Sequence, residues 1–241
     1  GSTNLINNEQ LAINNIHFFV SRYLLLIVHC KLLIAKMEAL LKTIEILGIF
    51  AFAITGIIEA RRKQMDIIGT YSVAMITAFG GGTLRDVLIN HYPLFWIQNY
   101  NYPIMILVLA IFSIFILRKS NSFSKPVLMI LALLDALGLG LFSAVGTSYA
   151  LSAGVFWFNA VLIGVVTGIF GGVLRDVICN EVPVFFKQSQ LYATCSFIGS
   201  LVFVILANYF PVDSFVPLAA CIATAFALRV ISIKYNIQLK F

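Results

Sequence analysis

Residues 81–95 read GGTLRDVLINHYPLF, and ninety residues later 171–185 read GGVLRDVICNEVPVF, with nine of the fifteen positions identical. The match extends outward without a gap. Between 45–95 and 135–185, 15 of 51 positions agree, among them Gly48 with Gly138, Phe52 with Phe142, Gly56 with Gly146, Ala60 with Ala150 and Thr77 with Thr167. Glu45 meets Asp135, an acid for an acid. The chain is therefore built on an internal duplication.

The surroundings of this repeat define its solvent. Of 241 residues, 61% are hydrophobic and 11% charged, and the mean hydropathy is +0.98. Soluble domains carry about 25% charged residues, and a water-facing exterior of this size could not be built from so few. The composition identifies an all-α membrane protein and excludes soluble enzymes, disordered chains and disulfide scaffolds. Cys30, Cys179, Cys195 and Cys221 lie in or beside apolar runs with no CxxC pair, so they read as small hydrophobic side chains. No P-loop, HExxH, GxSxG or catalytic triad is visible, and neither an enzyme nor a metal site is expected.

About 20 apolar residues cross a bilayer as a helix, and seven segments qualify: 43–60, 66–90, 103–118, 126–149, 154–180, 189–208 and 214–233. The second and fifth are long and interrupted by Gly80-Gly81-Gly82 and Gly171-Gly172, which predicts discontinuous helices there. Ten basic residues fall on one side of this arrangement, at Arg61, Arg62, Lys63, Arg118, Lys119, Lys125, Lys187, Arg229, Lys234 and Lys240. The opposite loops near 91–102, 150–153 and 209–213 hold none. The positive-inside rule then places the C-terminus in the cytoplasm of a multi-pass cell-membrane protein. The net charge of +6 arises from these loops, and no nucleic-acid partner is expected; the lipid bilayer is.

Residues 1–36 begin with Gly and carry an Asn-rich stretch followed by FFVSRYLLLIVHC. An eighth helix, an interfacial helix and sequence ahead of the real start all fit this composition. The reading favours Met37 as the functional start, with 1–36 an N-terminal extension outside the functional protein. The organisation then runs 37–125 for the first three-helix repeat, 126–208 for the second and 209–241 for the seventh helix and tail. Three helices per copy bring the second copy into the membrane from the opposite face, a 3+3 inverted repeat of the kind used by transport proteins.

The repeated motif predicts a polar pathway. A helix broken at its glycines frees carbonyls near 76–80 and 166–170, and carbonyls are cation ligands. Adjacent helical residues do not face each other, so the symmetry suggests cross-pairs, Arg85 with Asp176 and Asp86 with Arg175. These form a structural clasp, a pore lining or both. Thr77 and Thr167 line a pore or bond back to a carbonyl; their presence in both copies favours lining. Glu45 and Asp135 are secondary polar candidates, as helix-terminal carboxylates, as a cation-attracting ring or as a proton relay. His91 reads as structural; Gly48, Phe52 and Gly56, like Gly138, Phe142 and Gly146, form packing faces. Trp96, Tyr100 and Tyr102 read as interfacial anchors.

FAITGIIEA at 52–60, Asp66–Gly69, GGGTLRD at 80–86, LDALGLGLFSAVGT at 134–147, GGVLRDV at 171–177 and LYA at 191–193 together resemble the prokaryotic trimeric intracellular cation (TRIC) channel family, also labelled a glycine-transporter-domain membrane family. The resemblance covers about 37–235. It implies a homotrimer with one pore per protomer between the inverted halves. Potassium would be the main permeant ion, sodium the lesser candidate, and no cofactor is needed. Pore candidates carried over are Gly80, Gly81, Gly82, Gly171, Gly172, Arg85, Asp86, Arg175 and Asp176. The second motif has Phe170 where the first has Gly80, and the lysine-containing pore motif of animal members is absent. A secondary transporter of a small zwitterion such as glycine is the alternative, since Arg and Asp beside a helix N-terminus suit both of its charges.

Overall fold

In a bilayer each peptide group must find its hydrogen bond within the protein, which an apolar run achieves by closing into a helix. The computed structural model describes residues 2–116, 125–186 and 191–237. They contain α1 (Ser2–Arg62), α2 (Ile67–Leu88), α3 (Phe95–Gln98), α4 (Asn101–Ile116), α5 (Lys125–Ser152), α6 (Trp157–Ile178), α7 (Tyr192–Tyr209) and α8 (Phe215–Tyr235), with a 3-10 turn at Val184–Phe186. Among the described residues six stretches are long and apolar enough to cross a membrane: Ile27–Arg62, Ile67–Leu88, Pro126–Ser152, Trp157–Ile178, Tyr192–Tyr209 and Phe215–Tyr235. The remaining predicted span, 103–118, falls on α4. Arg118, Lys119, Lys187 and Lys240 lie outside the described residues.

The chain divides into two units, Gly1–Lys42 and Thr43–Phe241. The first is helical from Ser2 onward, and Ile27, Val28, Leu32, Leu33 and Ile34 are exposed.

Local signals set the helix ends. Asp66 caps α2, its Oδ1 accepting the Gly69 N–H at 2.7 Å. At the far end Asn90 adopts a left-handed φ of 55°, and the His91 N–H reaches the Asp86 carbonyl at 2.7 Å. The second copy repeats this with Asn180 at φ 54° and the Glu181 N–H on the Asp176 carbonyl at 2.8 Å. Asparagine tolerates this conformation better than most residues, which accounts for the repeated Asn in the motif.

Contacts between helices show the relation of the two copies. On α1 and α5, a Cβ at Gly48 would meet the Phe142 ring, and one at Gly138 the Phe52 ring. On α2 and α6, Gly81 faces Thr167 and Gly171 faces Thr77. In each pair one residue number falls as the other rises, so α1 runs antiparallel to α5 and α2 to α6. Phe52 and Phe142, both buried, meet at the centre with ring centroids 5.2 Å apart. α8 packs against α5 and α7, its Ile222 backbone at Gly140 and its Cys221 and Ala225 at Gly199.

One expectation fails. α2 and α6 run through Gly80–Gly82 and Gly171–Gly172 without a break. Glycine at these positions serves close approach instead. A Cβ on Gly81 would collide with the Thr167 carbonyl, and one on Gly171 with the Thr77 carbonyl, so the two helices cross backbone to backbone.

Candidate functional site

The crossing positions two buried ionic clusters. Gly81 meets Thr167 and Gly171 meets Thr77, and Arg85 and Arg175 follow these contacts four residues later, about 6 Å along the axis at 1.5 Å per residue. Because the helices are antiparallel, those 6 Å run in opposite directions. The two contacts are themselves four residues apart, so the arginines lie about 18 Å apart in depth, beyond reach of each other's aspartates.

The predicted cross-pairs are thus corrected. Arg85 stays within its own repeat: Nη1 donates to Glu45 Oε1 at 2.9 Å, Nε donates to Asp86 Oδ1 at 2.8 Å, and Nη2 lies 2.7 Å from the same oxygen. Arg175 repeats the arrangement, with Nη1 on Asp135 Oδ1 at 2.8 Å and Nε and Nη2 on Asp176 Oδ1 at 3.0 and 2.9 Å. The rule that neighbours do not face each other holds for short side chains; a guanidinium on three methylenes folds back over the next residue. Asp86 Oδ2 accepts the Phe95 N–H and Asp176 Oδ2 the Val184 N–H, each at 3.1 Å. Each aspartate thus ties the end of its helix to the segment that follows. Arg85 and Asp86 are fully buried, and Glu45, Asp135, Arg175 and Asp176 nearly so. Removing one member of such a buried pair typically costs about 3–5 kcal/mol.

Glu45 and Asp135, expected as secondary candidates, are integral to the clusters. Thr77 and Thr167 take the back-bonding alternative: their hydroxyls donate to the Val73 carbonyl at 2.7 Å and the Ile163 carbonyl at 2.6 Å. Both lie at the crossing rather than on a break. Gly80 faces Leu174, Gly82 the Phe95 ring, and Gly172 the Tyr192 hydroxyl and Asp135. His91, read as structural, stands at the edge of the first cluster with Nδ1 3.6 Å from Asp86 Oδ1.

Several members went unnoticed in the sequence. Tyr149 lies under Arg85, with Cζ 4.4 Å from the ring centroid. Tyr192, ninety residues after Tyr102, carries the Arg229 guanidinium 4.7 Å above its ring. Arg229, which its place near a helix end marks as a loop charge, is buried on α8. Its place inside an apolar run was the available signal. A third set of charges joins the ends of the two copies: Arg62 Nη2 lies 2.7 Å from Glu59 and 3.1 Å from Glu181, and Lys63 Nζ lies 2.7 Å from Glu181. Cys179, Cys195 and Cys221 are free thiols buried in the core, and among the described residues no His, Cys, Asp and Glu group could hold a metal.

Comparison with known proteins gives the same outline. The family model described as Glycine transporter matches twice, at 42–118 and 132–208, the same 90-residue offset as the repeat. The chain is 35% identical over 159 residues to the UPF0126 inner membrane protein YadS of Escherichia coli K12, covering 66% of this chain and 75% of that one. It is 35% identical over 163 residues to a UPF0126 membrane protein of Vibrio cholerae, covering 68% and 66%. The TRIC trimeric intracellular cation channel orthologue from Rhodobacter sphaeroides has a similar structure, at 32% identity and TM-score 0.75, with 82% of this chain and 99% of that chain covered. A prokaryotic TRIC channel solved in 0.5 M KCl is similar at 33% identity and TM-score 0.75, over 84% and 100%. With the doubled motif, the antiparallel copies and these matches together, the chain belongs to the prokaryotic TRIC channel family.

Proposed function

We propose that this protein is a channel for monovalent cations, potassium first among them. The pathway in each protomer runs between the two halves, from the Glu45–Arg85–Asp86 cluster to the Asp135–Arg175–Asp176 cluster. It passes the crossing formed by Thr77, Gly80, Gly81, Gly82, Thr167, Gly171 and Gly172. The observation that carries this reading is the match to a TRIC cation channel over 99% of that chain's length. The two clusters support it: four carboxylates against two guanidiniums favour cations over anions along this line. In the conformation described, Phe52 and Phe142 fill the centre, and conduction requires them to part.

The same reading takes the protein as a homotrimer in the cell membrane with its C-terminus in the cytoplasm, as the basic loops favour. It takes residues 37–125 and 126–208 as the two repeats and 209–241 as the closing helix. Uninterrupted helices weaken the zwitterion alternative, because a helix N-terminus at mid-membrane was the element meant to receive a carboxylate. Vesicles loaded with potassium test the choice. Reconstituted protein is expected to release potassium passively when a proton ionophore balances charge, and to leave labelled glycine outside. Saturable glycine uptake without potassium release would replace the channel with a transporter.

A further inference from the structure

The two copies touch at both ends of the membrane core, and the duplication allows one end to be read against the other. Away from the basic loops, Tyr149 of the second copy lies under Arg85 of the first, with Cζ 4.4 Å from the ring centroid, and the His91 ring is 5.8 Å from that of Tyr149. The residue that matches Tyr149 in the first copy is Glu59, and the one that matches His91 in the second is Glu181. At the basic end these two carboxylates also come together, again one from each copy. Arg62 Nη2 stands between them, 2.7 Å from Glu59 Oε1 and 3.1 Å from Glu181 Oε1, and Lys63 Nζ lies 2.7 Å from the same Glu181 oxygen. Arg62 and Lys63 are matched by Ser152 and Ala153, which carry no charge. One joint between the copies is thus built on an aromatic face and its counterpart on ion pairs. Their surroundings differ too: the Arg85 side chain is fully buried, whereas those of Arg62, Lys63 and Glu181 are about one third exposed.

We propose that these contacts are two latches of unlike chemistry that hold the halves together: Glu181 with Arg62 and Lys63 at the basic end, and Tyr149 with Arg85 at the opposite end. This rests on the channel reading, in which the pathway lies between the halves and opening requires them to part. Each latch crosses that boundary. The hydrogen bonds of Arg85 and Arg175 to their carboxylates stay inside one copy and survive the parting. The latches differ in what releases them. Attraction between exposed charges is screened by salt, the Debye length falling from about 8 Å at 0.15 M to about 3 Å at 1 M, so salt loosens the ion-pair latch. The guanidinium of the aromatic latch is buried and held by Glu45 and Asp86, where dissolved ions do not reach it. Glu181 and Tyr149 are then positioning residues for opening, one responsive to salt and the other not.

The ratio of open to closed time in single-channel records tests this, with the full chain in planar bilayers and potassium chloride at about 0.15 M and about 1 M. An exposed pair of good geometry shifts such a ratio by up to about fivefold, and a desolvated cation–π contact by about tenfold or more. The wild-type ratio should therefore rise by about fivefold between the two salt levels. Glu181 is at the surface, so its variants are expected to fold. Glu181→Gln should open at low salt as the wild type does at high salt, and lose the salt response. Glu181→Lys should do the same, and adding Lys63→Glu to it should restore the wild-type ratio, a rescue that a merely structural role would not give. Tyr149→Leu should open about tenfold more at both salt levels and keep the salt response, while Tyr149→Phe, which retains the ring, should behave as wild type. The latches lie at opposite ends, so the effects of Glu181→Gln and Tyr149→Leu should multiply when combined. A salt response that persists in Glu181→Gln overturns the ion-pair latch, and Tyr149→Phe opening like Tyr149→Leu overturns the aromatic one; both leave the channel reading intact. Folded wild-type protein without current at either salt level overturns the channel reading itself.

Discussion

Replacing Gly81 with alanine separates two uses of glycine in this membrane core. If the glycines weakened the helix so that it could break, a methyl group at Gly80, Gly81 or Gly82 would act alike, and each would raise helix stability by roughly 0.5–1 kcal/mol. The crossing predicts otherwise. A Cβ on Gly81 would overlap the Thr167 carbonyl, a backbone group that moves only if α2 and α6 separate. A Cβ on Gly80 would meet the Leu174 Cδ1 at 2.7 Å, the far end of a side chain with other rotamers. Overpacking costs typically 1–3 kcal/mol, and with backbone as the obstacle Gly81→Ala belongs at about 3 kcal/mol or above, Gly80→Ala at about 1 or below. By the symmetry of the contacts, Gly171→Ala should match Gly81→Ala, since its Cβ would overlap the Thr77 carbonyl. Thermal unfolding in detergent, followed by size-exclusion recovery, measures all three. Equal midpoints for Gly80→Ala and Gly81→Ala would refute the crossing.

Pairing within each repeat is open to a double-mutant cycle: Arg85 with Glu45 should show coupling above about 1 kcal/mol, while Arg85 with Asp176 should be additive to within about 0.5 kcal/mol. Additivity for the first pair would count against the clusters as described. Phe142→Leu should lengthen open events in single-channel records at a stability cost of about 1 kcal/mol, and unchanged open times would remove the phenylalanine pair from the closed centre. Burial pushes the Cys179 thiol up, so maleimide should label it slowly in the folded protein at neutral pH and completely in hot SDS. Glu181→Gln cuts exposed ion pairs with Arg62 and Lys63 and should cost no more than about 1 kcal/mol of stability, a loss readable as a small drop in melting midpoint.

Hydropathy and spacing made the helices, the duplication and the polar motif legible, because each depends on residues close in sequence. The partners of Arg85 and Arg175 were not. Choosing between an aspartate in the same helix and one ninety residues away requires knowing that α2 and α6 cross antiparallel at Gly81 and Gly171, and that crossing is a property of two surfaces together. The glycines raised the same difficulty: composition permits a break or a close approach, and only the facing Thr167 and Thr77 carbonyls distinguish them. Arg229 was miscounted because a charge near a helix end reads as a loop charge until a neighbour such as Tyr192 covers it. Asn90 and Asn180, by contrast, were visible in the repeat, and their left-handed backbone supplies the reason for them.

The reversal potential under a potassium chloride gradient tests cation conduction most directly, with folded, purified protein in a planar bilayer. A voltage close to the potassium equilibrium value, carried by unitary current steps, is the predicted result. A voltage at the chloride value, or no current from protein shown to be folded and inserted, would contradict it.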